Sequence, residues 1–99
     1  MALAYHAQGS VIYWKYGGHI PPQSEEIVKT FSSVSGYLPD YTDGIASYRG
    51  FKDWFIQEFD KPAFTIEVGI GKNPLPISHF DGIYLNNREL LILCASLAE

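Results

Sequence analysis

Two side chains in this 99-residue sequence combine useful chemistry with a useful place. Glu67 sits in the alternating, β-branched run Phe64-Thr65-Ile66-Glu67-Val68, and His6 closes the short apolar segment Leu3-Ala4-Tyr5 before the polar turn His6-Ala7-Gln8-Gly9-Ser10. A carboxylate among apolar neighbours is costly to bury unless it is paired or faces a cleft. In a cleft it can take a proton from water and return it to a leaving group, while a neutral imidazole at a strand end can hold a metal ion. The carboxyl edge of a sheet is where ligand-binding residues of open α/β folds collect. A structural reading competes at both positions. Glu67 can pair with a Lys or Arg, or face water beside Thr65, and a lone histidine is more often a structural residue than a ligand. His19 and His79 lie beside proline-containing turns, and the chain holds no His-x-x-Glu, His-Glu-x-x-His or paired-cysteine pattern. Gly69-Ile70-Gly71 lacks the third glycine of a phosphate loop and reads as a turn.

The elements that would carry these residues follow from pattern. Leu3–Tyr5 and Val11–Trp14 read as extended segments. Pro21-Pro22 followed by Ser24-Glu25-Glu26 starts a helix, Ile27, Phe31 and Val34 continue it at helical spacing, and Gly36 stops it. The stretch from Ser35 to Arg49 reads as a long irregular loop. Gly50 to Phe59 suits an amphipathic helix with Phe51, Trp54, Phe55 and Phe59 on one face and Lys52, Asp53, Gln57 and Glu58 around the other. A strand over Phe64–Val68 then delivers into a turn from Gly69 to Pro76, and a last helix, capped by Asn86 or Asn87, runs through Leu97. The order gives an α/β fold, one domain over residues 1–99, with helices covering a small sheet.

Composition narrows the function classes. At 46% hydrophobic residues the chain can build one core but is too short for two. Eleven acidic against seven scattered basic residues argue against a nucleic-acid surface. No apolar run approaches the roughly 20 residues of a membrane span, and the amino terminus lacks the order of a secretion signal, so a soluble, cytoplasmic chain is expected. Cys94, without a second cysteine, is expected to pack as a small buried thiol.

Three segments in order carry a resemblance: Gly50-Phe51-Lys52-Asp53-Trp54-Phe55, then Pro62-Ala63-Phe64-Thr65-Ile66-Glu67-Val68-Gly69, then Asn73-Pro74-Leu75-Pro76. From about residue 2 to the end, the chain resembles the carboxyl-terminal part of zinc carboxypeptidases, most closely the bacterial γ-D-glutamyl-L-diamino-acid endopeptidases that cut cell-wall peptides. The resemblance implies the carboxyl-terminal portion of that family's mixed sheet flanked by helices. It implies Glu67 as the catalytic glutamate, His6 as a zinc ligand, and Lys52 as the cation lining the pocket for an acidic or diamino-acid group. Tyr48, with Tyr41 as a further candidate, would stand for the family's loop tyrosine, although ungapped spacing lands on Ile45. Ala7 replaces the serine that usually follows the histidine. The family's His-x-x-Glu pair and anchoring arginines have no counterpart here, so zinc would be held incompletely and the chain alone would be nearly inactive. Strands cut from a larger sheet would leave an open edge, so self-association is expected. The alternative is a noncatalytic α/β module that binds a cell-wall peptide or a protein through Tyr37, Tyr41 and Tyr48, or that only forms oligomers.

Overall fold

A computed structural model of the chain describes residues 1–41 and 50–97. It is a mixed α/β domain with a four-stranded sheet and three helices: β1 (Ala2–Ala7), β2 (Val11–Tyr13), α1 (Ser24–Ser35), β3 (Leu38–Pro39), α2 (Gly50–Phe59), β4 (Ala63–Val68), a 3₁₀ turn (Ile77–His79) and α3 (Phe80–Leu97). The strand order is β1-β4-β2-β3, with β4 parallel to β1 and antiparallel to β2, and β2 parallel to β3. The two segments flanking the His6–Ser10 turn are therefore not partners, because β4 lies between them. Among the described residues no helix is long and apolar enough to cross a membrane.

One face of the sheet carries the main core. Ile12, Phe64 and Ile66 are buried there with Ile27, Val28 and Phe31 of α1 and Leu90 of α3, and Leu3, Val68, Leu93 and Cys94 pack against them. The Phe31 and Phe64 rings meet edge to face at 5.1 Å across the helix–sheet boundary. Each such buried side chain contributes about 1.5–3 kcal/mol, and the ring geometry adds about 0.5–1.5. α1 ends as expected: Gly36 takes the left-handed conformation (φ 79°) and its N–H donates to the Ser32 carbonyl. Cys94 packs at the edge of this core, its Sγ 3.7 Å from Met1 Sδ, and burial pushes its thiol pKa up.

Three expectations need correction. α3 begins at Phe80, well before Asn86 or Asn87, and Asn87 lies buried within it, donating to the Ile83 carbonyl and to Tyr37 Oη. The polar amide sits inside a helix because both donor hydrogens are satisfied. The segment read as loop contains the short strand β3. The faces of α2 differ from the expected ones in part: Gln57 and Glu58 are exposed and Phe55 is half-buried, but Lys52 and Asp53 are buried with Ile56, whereas Phe51, Trp54 and Phe59 are about half exposed. Charge reaches the interior because it arrives paired, with Lys52 Nζ donating to Asp53 Oδ1 at 2.5 Å and to the Lys15 carbonyl at 2.5 Å. The aromatic residues pack on one another along the helix instead, Phe51 with Trp54 and Trp54 with Phe59.

Candidate functional site

Strand pairing decides which side chains share the second face of the sheet. Ala4 is opposite Thr65, which is opposite Tyr13, and His6 is opposite Glu67, which is opposite Val11. Because side chains alternate across a strand, these residues point away from the main core. α2 packs against β1 and β4. Between them lies a cleft of about 420 Å³ lined by Ala4, His6, Tyr13, Gly50, Phe51, Lys52, Thr65 and Glu67.

His6 and Glu67 are thus direct neighbours at the carboxyl ends of two parallel strands, at one end of the cleft. Burial pushes the Glu67 carboxyl above the ordinary carboxylate range, and the nearby His6 pulls in the opposite direction. Burial also raises the Tyr13 hydroxyl, helped by the negative charges of Asp40 and Glu67. A carboxylate held less acidic than usual beside an imidazole is better suited to accepting and returning a proton than an ordinary carboxylate.

The rim of the site is tied together by one backbone and one side-chain hydrogen bond. Gly9 N–H donates to the Gly69 carbonyl at 2.7 Å, and Asn73 Nδ2 donates to the Ala7 carbonyl at 3.0 Å. The turns after β1 and β4 therefore form one rim. Gly69 adopts φ 78°, a left-handed conformation that favours glycine, and a Cβ there would lie 2.5 Å from Leu75 Cδ1, so that side chain would have to shift.

Lys52 lines the cleft, but its ammonium is engaged by Asp53 and the Lys15 carbonyl, and burial lowers its pKa while Asp53 opposes the drop. Tyr41 lies outside the cleft lining, its ring edge-on to Trp14 at 5.6 Å and its carbonyl accepting from Lys15 Nζ. Tyr48 and Ile45 fall outside the described residues. Tyr13 and Phe51 were not identified from sequence as cleft residues. Tyr13 is legible only once β2 is known to pair with β4, since its place on the Glu67 face follows from that register. His19, which in sequence stands beside a proline-containing turn, places its Nε2 2.8 Å from Asp60 Oδ1 and ties the turn after β2 to the end of α2.

As a metal centre the donor set is short. Among the described residues no group of three His, Cys, Asp or Glu side chains could close around an ion. His6 and Glu67 are the donors the cleft offers, fewer than the three protein ligands of a catalytic zinc. These residues alone do not fit a zinc site.

Compared with known proteins, the chain is 55% identical over 82 residues to gamma-D-glutamyl-L-diamino acid endopeptidase 1 of Lysinibacillus sphaericus, a match covering 83% of this chain and 20% of that protein. It is 45% identical over 82 residues to the uncharacterized protein YqgT of Bacillus subtilis, covering 83% of this chain and 22% of that one. The chain therefore spans about a fifth of the length of these curated relatives. No protein-family model and no solved structure matches it.

Proposed function

We propose that these 99 residues supply the carboxylate side of a peptidase site of the zinc carboxypeptidase type, acting on peptide or γ-D-glutamyl-diamino-acid bonds of cell-wall peptides. The observation that carries this reading is the juxtaposition of His6 and Glu67 at the mouth of one cleft. The similarity to an endopeptidase named for γ-D-glutamyl-L-diamino-acid bonds supports the substrate class.

In this reading Glu67 removes a proton from the attacking water and passes it to the departing amine, a role its raised pKa favours. His6 is one donor of a metal site whose other ligands these residues do not contain, so the chain by itself is not a competent hydrolase. Lys52 lines the cleft as the residue proposed to meet an acidic or diamino-acid group, which would have to compete with Asp53 for its ammonium, and Tyr48 is the loop residue proposed to contact substrate.

The test is zinc content by elemental analysis after size-exclusion chromatography, for the chain and its His6→Ala variant, followed by hydrolysis of a γ-D-glutamyl-diamino-acid peptide. The expected result is weak, substoichiometric zinc, reduced in the variant, and negligible turnover. Zinc content that ignores His6 would refute the assignment.

A second reading, a noncatalytic module derived from the same scaffold, draws support from the short donor set and from the exposed aromatic residues of α2. In that case Glu67→Gln leaves binding of a cell-wall peptide unchanged.

A further inference from the structure

The rung of the sheet next to His6 and Glu67 carries polar groups that the fold itself does not use. Ala4, Thr65 and Tyr13 lie side by side across β1, β4 and β2, and all three line the cleft. Among the described residues neither the Thr65 hydroxyl nor the Tyr13 hydroxyl has a hydrogen-bond partner. Both residues are half-buried. A hydroxyl taken partly out of water and left unbonded costs free energy, and here two of them are opposed across one strand pair.

The charges around this rung are mixed. Lys52 Nζ donates to Asp53 Oδ1, and Asp40 lies near enough to act on both Lys52 and Tyr13. A lone ammonium entering here meets Lys52, and a lone carboxylate meets Asp40 and Asp53. Hydroxyls donate as well as accept, so they suit an end group that carries both charges at once. With its pKa pushed up by burial and by the charges of Asp40 and Glu67, the Tyr13 phenol keeps its proton and remains a donor.

Strand geometry sets the reach. Two residues along a strand advance about 6.7 Å, which separates this rung from that of Glu67. With the reacting bond beside Glu67, an extended side chain of lysine length arrives at Tyr13 and Thr65, whereas a glutamate side chain falls short. Ala4 and Phe51 offer the methylene stem apolar walls.

We propose that Tyr13 and Thr65 form the subsite for the far end of a diamino-acid side chain whose terminal carbon bears both an ammonium and a carboxylate, with Tyr13 as the specificity-determining residue. The Tyr13 hydroxyl donates to the carboxylate, and Thr65 Oγ1 accepts from the ammonium. Lys52 must be shared with Asp53 and the Lys15 carbonyl, so the unshared hydroxyls set the preference. The position of the near end rests on the peptidase reading, while the use of the two hydroxyls does not.

The experiment is an NMR titration of the 99-residue chain with three probes of matched stem: meso-diaminopimelate, lysine, which lacks the far carboxylate, and aminopimelate, which lacks the far ammonium. The expected result is that diaminopimelate moves the amide resonances of Ala4, Tyr13 and Thr65 and binds about tenfold more tightly than either of the others. Tyr13→Phe should remove the advantage over lysine, and Thr65→Val the advantage over aminopimelate. Lysine binding to Tyr13→Phe and the circular dichroism of both variants should stay unchanged, because neither hydroxyl bonds within the protein. Equal affinity for the three probes, no binding of diaminopimelate, or variants that keep the full preference would overturn the proposal. The peptidase reading fails separately: diaminopimelate binding that depends on Tyr13, in a chain whose zinc content ignores His6, would sink that reading and support this one. Zinc held through His6 without any effect of Tyr13→Phe on the preference would do the reverse.

Discussion

Replacing Lys52 by methionine separates two roles that this residue could have. Its ammonium is almost wholly buried and donates to Asp53 and to the Lys15 carbonyl, while Asp53 Oδ2 has no hydrogen-bond partner among the described residues. Methionine keeps most of the volume but strands the Asp53 carboxylate without its cation. Removing one partner of a buried pair destabilises by about 3–5 kcal/mol, because the remaining charge is left uncompensated. Against a total stability of about 5–15 kcal/mol for a domain this size, that is a large fraction. With a urea slope of about 1.5 kcal/mol/M, the midpoint should fall by about 2–3 M. Intrinsic fluorescence of Trp14 and Trp54 follows the transition. The double variant Lys52→Met/Asp53→Leu should recover most of the loss, since no charge remains buried. A single variant whose midpoint moves by less than about 0.5 M would refute the reasoning, and would free the ammonium for a role confined to substrate.

Two further outcomes follow from the cleft. Gly69→Ala forces a side chain into left-handed backbone and against Leu75, so it should destabilise by about 1–3 kcal/mol, read as a fall in urea midpoint; an unchanged midpoint would show that the turn after β4 relaxes freely. For Glu67 the folded-state pKa is raised, so the stability linked to its protonated form is present below its unfolded pKa of about 4.3 and is lost as pH rises through the folded value. Glu67→Gln should therefore stabilise the fold at pH 8 and have less effect at pH 4; a larger advantage at pH 4 would contradict the desolvation argument.

Local signals carried much of the architecture. The stop at Gly36 and the alternation through Phe64–Val68 need only neighbouring residues, and the structure reproduces both. What the sequence concealed depends on distant partners. Asn87 looks like a helix cap until Tyr37 is known to meet its amide, and Lys52 looks like a surface residue until Asp53 and the Lys15 carbonyl surround it. The aromatic residues of α2 follow helical spacing, yet the sheet selected Ile56 and the paired charges for burial. Glu67 and His6 stood out by residue type and strand-end position. Their adjacency rests on β4 entering between β1 and β2, which no local pattern encodes.

That placement of β4 also sets the order in which the molecule can assemble. Its parallel partner β1 lies at the start of the chain, and its antiparallel partner β2 follows soon after, but β4 itself arrives only beyond α2. β1 and β2 cannot be joined through β4 until β4 has followed α2, whereas the hydrogen bonds of α1 are all local. Loop closure over such a separation slows folding more than it weakens the finished fold. Refolding should accordingly show helix signal rising before the sheet, with the burial of Phe64 and Ile66 as the late, committing step.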